Sequence, residues 1–355
     1  MRPLVTALVD TFNHERYIEQ ALISVLEQGL SAAELEIVVV DDGSNDSTPS
    51  IIQKFAPRVR YVRKKNGGQA SAFNAGFAES GGEVVALLDG DDWWEKGKLA
   101  AVLRGLEQNP EVSAVGHGYY QFLESTKESK LCCPERSRVL DLSTRDEAVN
   151  ALLDWRFLQA SALTVRRGVL ERIMPIPEVL FFSADAPIAA ASAAMGVRVL
   201  DQPLSYYRVH SRNLYAVDAK NREQLRRKSE MDEAMYEVLY PLLYRLGVSP
   251  ESVSGLLDHG ATETTRFRLQ TFGGSRLETL RTEMRVFRSG FRQAGIGYRL
   301  FKYLLVGGAT LLVSPQHFYQ ARDWYARRNL GRVRELFFKS RIGTETEAVL
   351  PSKPK

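Results

Sequence analysis

Short apolar runs alternate with stretches of helical periodicity over the first 122 residues. The apolar runs are "LVTALVD" (4–10), "EIVVVD" (36–41), "VRYVRK" (59–64) and "EVVALLD" (83–89). The intervening stretches, at 15–28, 48–56 and 68–80, carry apolar residues at helical spacing. Strands buried on both faces and separated by helices indicate a mostly parallel sheet with right-handed crossovers. This part is therefore predicted to be a doubly wound α/β domain.

The sequence pattern changes after about residue 216. Long stretches of helical composition follow, at 221–246, 275–295 and 317–338, and the final residues are polar and contain proline. A polar segment of that kind buries too little apolar surface to fold. We predict three parts: an α/β domain at 1–215, a mainly helical region at 216–340 and a disordered tail at 341–355.

Carboxylates cluster where the predicted strands end. "LLDGDDWW" (87–94) brings three of them within four positions, and Asp10 and Asp41 end two other strands. Such close negative charges repel one another unless a cation compensates them. Oxygen-only ligands favour Mg²⁺ or Mn²⁺, which would also hold a diphosphate at the strand ends. The alternative is a solvated turn before a helix, because Asp and Gly favour turns for local reasons.

Two further motifs fit a nucleotide at this sheet edge. In "VVVDDGSNDST" (38–48) the acidic side chains follow the second strand, where an acid can accept hydrogen bonds from a base or ribose. In "NGGQASAFNAG" (66–76) the glycines surround a helix start, where backbone N–H groups can face phosphates or sugar.

Together, these strings resemble the nucleotide-sugar domain of glycosyltransferase family 2, which has the GT-A fold. The resemblance is specific over residues 3 to 122 and thins to scattered motifs up to about 215. It implies an inverting transfer, in which an acceptor hydroxyl attacks the sugar while the nucleoside diphosphate leaves. The metal would offset the charge on the leaving group, and a carboxylate would accept the hydroxyl proton.

The resemblance assigns roles to matching residues. The implied donor contacts are Thr11, Phe12, Asp41, Asp42, Gly68, Asn74, Asp89 and Arg208. Thr11 and Phe12 would line a uracil pocket, and Asp41 would hydrogen-bond the base. Asp89 would lie near the ribose and diphosphate, with Asp91 as the metal ligand. One position departs from the pattern, because Phe73 stands where many relatives have arginine.

The later motifs match the family less closely. The proton acceptor would be Asp185 in "FFSADAPIAAASAAMGVRV" (181–199), although Ala184 replaces the usual glutamate. The alternative is an aspartate that only caps a helix. "YRVH" (207–210) resembles a loop that brings Arg208 and His210 to the diphosphate or metal, so the implied metal ligands are Asp91, Asp89 and His210. Trp93 and Trp94 either stack on an acceptor sugar or pack in the core.

The charge of the chain is unevenly distributed. Residues 215–355 hold 24 Lys and Arg against 15 Asp and Glu, whereas residues 1–214 hold 23 against 28. The most apolar stretch (298–319) has an uninterrupted part at 303–313, too short for the roughly 20 residues of a membrane-spanning helix. Flanking basic and aromatic residues are typical of a segment lying on an anionic membrane surface. A buried helix or a dimer contact is the alternative; nucleic acid is not expected, because no recognised binding module is present.

The chain is expected to act in the cytoplasm, peripherally at the inner face of the cell membrane or free of it. Its two cysteines are adjacent, at 132 and 133, which suits neither a disulfide framework nor a zinc site. The N-terminus lacks the pattern of a signal peptide. We predict a metal-dependent inverting glycosyltransferase that moves a sugar from a nucleotide-sugar to a glycan or lipid-linked acceptor. The expected donor is a UDP-sugar. The alternatives are a catalytically silent nucleotide-sugar-binding scaffold and a nucleotidyltransferase.

Overall fold

A computed structural model describes residues 4–211, 213, 222–290, 304 and 306–322. Its strands are β1 (Val5–Thr11), β2 (Leu35–Asp41), β3 (Arg60–Arg63), β4 (Val84–Asp89), β5 (Trp93–Trp94), β6 (Ala114–Leu123), β7 (Glu128–Cys132), β8 (Arg138–Leu140), β9 (Thr164–Arg166) and β10 (Val197–Val209). Its helices are α1 (Ile18–Leu26), α2 (Thr48–Gln53), α3 (Gly68–Glu79), α4 (Lys98–Gln108), α5 (Arg145–Asp154), α6 (Arg167–Ile173), α7 (Asp185–Ala194), α8 (Arg222–Arg245), α9 (Pro250–Phe272) and α10 (Arg276–Gly290).

The strands form one mixed sheet in the order β3-β2-β1-β4-β9-β6-β10-β5. The run β3-β2-β1-β4 is parallel, as is the pair β6 and β10, whereas β9 runs antiparallel to both of its neighbours. β7 pairs with β6, and β8 pairs with β10. The predicted mostly parallel α/β architecture is confirmed, and each of the four predicted strands lies within a residue or two of its expected position.

Both faces of β1, β2 and β4 are buried, whereas the edge strand β3 is partly exposed. On β1, Leu8 packs in one apolar cluster with Phe73 of α3, and Val9 packs in another with Leu22 of α1. Successive side chains of a strand point to opposite faces. A continuous apolar run therefore gives a strand two apolar faces, and each face packs against a layer of helices, as the sequence predicts.

The chain divides into two compact units, Met1–Ala261 and Thr262–Lys355. The predicted boundary near residue 215 falls inside the first unit. The reason is that Leu239 and Leu243 of α8 and Leu256 of α9 pack in the same apolar cluster as strands of the sheet. α9 itself is absent from the predicted helical stretches. The predicted tail (341–355) lies outside the described residues.

The second unit carries apolar side chains on its surface. Leu311 and Leu312 are exposed, Leu312 to 78%, whereas Phe318 and Tyr319 are buried. None of the described helices combines the length and the apolar character that crossing a membrane requires. Much of the predicted interfacial segment, including residues 298–303 and 323–338, lies outside the described residues.

Candidate active site

Strand-end carboxylates meet at one edge of the sheet. β1 and β4 are parallel neighbours whose register sets Asp10 opposite Asp89. Asp42 directly follows β2, the other neighbour of β1, and Asp91 follows β4. Parallel strands deliver their last residues to the same edge. The predicted gathering of carboxylates is therefore present.

A cavity of about 770 Å³ opens at this edge, within the range usual for small-ligand sites. The carboxylates that line it are Asp10, Asp42, Asp89, Asp91 and Asp185. The other predicted residues on its wall are Thr11, Phe12, Gly68 and His210. Residues far apart in the chain thus share one concave surface.

Asp10 and Asp89 share a crowded, buried position. Burial, together with the charge of Asp91, raises the pKa of Asp10 to about 7, and a hydrogen bond with Asp89 opposes that rise. Burial and the charge of Asp10 likewise raise the pKa of Asp89 well above its usual value. One oxygen of Asp10, Oδ1, is buried without a hydrogen-bond partner among the described residues. In the absence of a cation, both carboxyls therefore bind a proton more strongly than an ordinary aspartate does.

Asp91 has a different environment, because two histidines face it. His210 Nε2 lies 2.9 Å from Asp91 Oδ2, and His14 Nε2 lies 3.9 Å from the same oxygen. Burial acts to raise the pKa of Asp91, but the two imidazoles outweigh it and hold this pKa below its usual value. Burial lowers the pKa of His14. Asp91 is therefore the anionic member of the cluster.

This donor set fits a divalent cation. Among the described residues, no Lys or Arg lies within ion-pair distance of Asp10, Asp89 or Asp91. Those residues also contain no group of three or more His, Cys, Asp and Glu side chains arranged as a metal site. Mg²⁺ commonly binds one or two protein carboxylates and completes its shell with water and substrate phosphates. Asp91, with Asp89 and His210 beside it, provides such a partial set.

Arg208 braces the acidic loop instead of facing the cavity. It lies in β10, not in a flexible loop as predicted, and is 6% exposed. Its Nε donates to the Asp91 carbonyl (2.7 Å), and its backbone N–H donates to Asp92 Oδ1 (2.8 Å). The guanidinium also packs 4.7 Å from the Tyr17 ring centroid. The guanidinium is therefore already paired within the protein, and the expected contact of Arg208 with the diphosphate stays a prediction.

The two acids after β2 have opposite environments. Asp41 is fully buried: its Oδ1 accepts from Ser44 N (2.8 Å) and its Oδ2 from the Tyr61 hydroxyl (2.7 Å). It lies outside the cavity lining, whereas Asp42 is part of it. The geometry therefore favours Asp42, rather than Asp41, as the acid that meets a bound nucleotide.

The glycine-rich turn is held by Asp42. The carboxylate of Asp42 accepts hydrogen bonds from the N–H groups of Gly67 (3.0 Å) and Gly68 (2.7 Å) and from Lys64 Nζ (2.7 Å). These N–H groups therefore do not face a ligand, contrary to the expectation. Gly68 has φ +84°, and a Cβ there would lie 2.5 Å from the Phe181 carbonyl oxygen. Only glycine fits this close approach.

Asn74 and Phe73 serve the scaffold. Asn74 Nδ2 donates to the Ile176 carbonyl (2.8 Å), its Oδ1 accepts from Ile176 N (2.7 Å), and the residue lies outside the cavity lining. Its predicted donor contact is thus replaced by anchorage of the 174–183 segment. Phe73 is fully buried in the core, which accounts for an apolar residue where relatives have arginine.

The two tryptophans after the acidic motif pack in the protein. The Trp93 ring stacks on Tyr206 at 4.4 Å, and Trp94 is 3% exposed with its Nε1 donating to the Ser161 carbonyl. Neither lines the cavity. Of the two alternatives, core packing is the one observed.

Asp185 is the first residue of α7 and lines the same cavity as the acidic loop. Its Oδ2 accepts a hydrogen bond from Ala160 N at 3.1 Å. Burial raises the pKa of Asp185, and the Ala160 N–H partly opposes the rise. A buried carboxylate whose proton affinity is increased is suited to take a proton from a bound hydroxyl. It stands at N1 rather than at the N-cap, which is Ala184.

Gln69 links the acidic cluster to the start of α7. Its Nε2 donates to Asp89 Oδ1 (3.0 Å), and its Oε1 accepts from Ala184 N (2.9 Å), directly before Asp185. Gln69, His14 and Asp10 are not among the predicted site residues. Asp10 ends a predicted strand, and this position at the sheet edge could have identified it as a site residue. No local pattern marks His14 or Gln69, because their partners are distant in the chain.

Known proteins share this sequence and fold. The family model described as Glycosyl transferase family 2 matches residues 6–173. An uncharacterized glycosyltransferase of Nostoc sp. strain PCC 7120 is 33% identical over 257 residues, 68% of this chain and 76% of the relative. The uncharacterized glycosyltransferase EpsJ of Bacillus subtilis is 31% identical over 62% of this chain and 65% of its own length.

A solved structure extends the similarity through the fold. TarS of S. aureus, residues 1–349, crystallised with UDP-GlcNAc, aligns with a TM-score of 0.54 at 17% identity, covering 90% of this chain and 92% of TarS 1–349. At that identity the likeness shows the fold alone. The family match and the Nostoc relative carry the assignment further, and they agree with the carboxylate-lined cavity at the sheet edge. The chain belongs to glycosyltransferase family 2, and it is a glycosyltransferase with a GT-A-type fold.

Proposed function

We propose that this chain transfers a sugar from a nucleoside-diphosphate sugar to the hydroxyl of a glycan or lipid-linked acceptor, with inversion at the anomeric carbon. The observation that carries the proposal is that Asp91 and Asp185 line one cavity from separate elements. One carboxylate is held ionised beside two histidines, and the other has its pKa raised by burial. Two carboxylates in different environments suit two different tasks.

The donor half of the cavity is assigned to the nucleotide. Phe12 is 38% exposed on its wall and offers a ring face to a base, beside Thr11 and Asp42. The fold neighbour TarS was crystallised with UDP-GlcNAc, so a UDP-sugar is the first donor to test. Asp91, Asp89 and His210 would hold Mg²⁺ or Mn²⁺. When bound, this ion would offset the charge that develops on the leaving diphosphate.

The protein's own groups perform the remaining steps. Asp185 would accept the proton of the acceptor hydroxyl as that oxygen attacks the anomeric carbon. Gln69, which is hydrogen-bonded to both Asp89 and Ala184, would hold the donor-binding carboxylates in a fixed position relative to the proposed general base, Asp185. Orientation of this kind is a large part of what an enzyme contributes to a displacement.

A donor screen tests the proposal. The protein, with Mn²⁺ and a panel of acceptor glycosides, is incubated with UDP-, GDP- and dTDP-sugars, and the released nucleotide is separated by ion-exchange chromatography. We expect a nucleoside diphosphate to be released from one nucleotide class, with chelator stopping the release. Release of pyrophosphate from a nucleoside triphosphate and a sugar 1-phosphate, in a parallel incubation, would indicate a nucleotidyltransferase instead. Saturable donor binding without release, across a broad acceptor panel, would favour the silent scaffold.

We also propose that the second unit contacts an anionic membrane surface. The exposed side chains of Leu311 and Leu312 and the basic composition of residues 215–355 support this. The double substitution Leu311→Asp and Leu312→Asp is expected to reduce flotation with anionic liposomes several-fold. Ile23→Asp with Leu131→Asp, two exposed positions of the first unit, is the charge-matched control. Equal flotation of both double variants would remove the proposal.

A further inference from the structure

The cavity has a second half whose chemistry differs from that of the donor half. Beyond Asp185, its wall is formed by Trp155, Leu158, Met235, Leu239, Leu256 and Leu257. These side chains come from the 3₁₀ turn at Trp155–Phe157 and the residue after it, from α8, and from the part of α9 that lies in the first compact unit, which ends at Ala261. Arg156 is the one charged side chain that the described lining residues of this wall include.

The wall is built by packing rather than by loose surface residues. Leu239, Leu256 and Leu257 are each at most 3% exposed and belong to the core cluster that contains Ile188 of α7. Met235 and Leu239 are four residues apart on α8, so they share one face of that helix. α8 packs against α7, whose first residue is Asp185. The apolar wall is therefore fixed relative to the proposed base.

An unpaired donor marks the border between the polar and apolar parts. Gln159 lines the cavity, and its Nε2 is buried without a hydrogen-bond partner among the described residues. The next residue, Ala160, donates its N–H to Asp185. Buried amides are nearly always paired in folded proteins. An oxygen atom of a bound ligand, held close to Asp185, could accept a hydrogen bond from Gln159 Nε2.

We infer that the acceptor is amphiphilic: a sugar whose hydroxyl meets Asp185 and Gln159 and whose apolar aglycone lies against the α8/α9 wall. This inference rests on the proposed function, because Asp185 must face the acceptor. The wall lines the same cavity as Asp185, and a free, fully polar glycan would leave the partly exposed side chains of Trp155 and Met235, which the buried leucines support, without an apolar partner. An alkyl or prenyl chain linked to the acceptor sugar matches it.

Paired probes test the inference. Binding of n-octyl and methyl glycosides of the same sugars, below the micelle concentration of the octyl compounds, is measured by calorimetry with nucleoside diphosphate and Mn²⁺ present. We expect at least one octyl glycoside to bind roughly tenfold or more tightly than its methyl partner, since each buried methylene adds to affinity. Equal binding of every octyl and methyl pair would overturn the inference.

Substitution of the wall gives the second measurement. Met235→Gln keeps the length of the side chain while making it polar, and it should remove most of the octyl preference. Met231→Gln, one turn earlier on α8 and outside the cavity lining, is the matched control and should leave the preference intact. An octyl preference that is equal in both variants places the alkyl chain elsewhere and overturns the inference.

The failure of this inference is distinguishable from failure of the proposed function. Nucleotide binding and release of nucleoside diphosphate from the donor do not involve the α8/α9 wall. If the donor reaction proceeds while octyl and methyl acceptors behave alike, only the amphiphilic acceptor is rejected. If the octyl preference is present but no nucleotide-sugar binds, the proposed function is rejected.

Discussion

The substitution Asp185→Asn is expected to lower the rate of glycosyl transfer by about 10²–10⁴-fold, the usual contribution of a general base. Asparagine has nearly the same shape and can still lie beside the Ala160 N–H, but it cannot accept the hydroxyl proton. Binding of the nucleotide should change little, because Asp185 begins α7 and is not among the residues that hold the metal and the diphosphate in our proposal. The measurement is the transfer rate at saturating donor, together with the donor Kd.

The pH profile provides a check that a purely structural role would not satisfy. Burial raises the pKa of Asp185, so the proton-accepting form is lost, as pH falls, at a higher pH than for an ordinary aspartate. The wild-type rate should therefore decline on the acidic side with that raised pKa, and the decline should be absent from the residual rate of Asp185→Asn. Asp201→Asn, an exposed position, is the control. Full turnover in Asp185→Asn would exclude Asp185 as the base.

The substitution Asp91→Asn should abolish the metal dependence of donor binding. Asp91 is the carboxylate whose pKa the neighbouring histidines hold below its usual value, whereas burial raises the pKa of Asp10 and of Asp89. Outer-shell groups of metal sites alone contribute about 10–100-fold to affinity or activity, and loss of a direct ligand should cost at least as much. Calorimetry of nucleoside diphosphate binding, with Mn²⁺ and with chelator, measures the effect.

The comparison between the two conditions decides the role of Asp91. In the wild type, Mn²⁺ should tighten binding; in Asp91→Asn, the affinity with Mn²⁺ should equal that of the wild type with chelator. Asp201→Asn should retain the wild-type response. A variant that loses affinity equally in both conditions would point to a general disturbance of the loop, since Arg208 also braces the Asp91 backbone. Undiminished metal dependence would exclude Asp91 as the ligand.

The acidic residues of the site show which features a sequence pattern can predict and which it cannot. The run of Val, Ile and Leu ending in Asp89 predicts a buried strand with carboxylates at its end, and β4 is that strand. The same reasoning places Asp41 and Asp42 together after β2, but it does not say which one faces the ligand. Asp41 is the last residue of β2 and points to Tyr61 of β3, whereas Asp42 lies beyond the strand and holds the glycine-rich turn. That difference depends on the neighbouring strand.

Arg208 and His210 illustrate the same limit from another motif. They are two positions apart in "YRVH", and the resemblance assigned both to the donor or the metal. In the folded chain His210 reaches Asp91, while Arg208 turns under the loop between aromatic rings. A buried guanidinium needs partners for its N–H groups, and the Asp91 carbonyl and Gln20 supply them. No local rule anticipates partners that lie more than one hundred residues away.

The sequence by itself determined the parallel strands, the edge where they end and the family, because these follow from short-range periodicity and contiguous motifs. Tertiary structure alone decided which acids share the cavity, that Gln69 links Asp89 to Asp185's helix, and that α8 and the first part of α9 add an apolar wall to the first unit. The physical reason is that charge, burial and hydrogen bonding at a site are set by groups close in space, and the chain brings them together from distant positions only when its core packs.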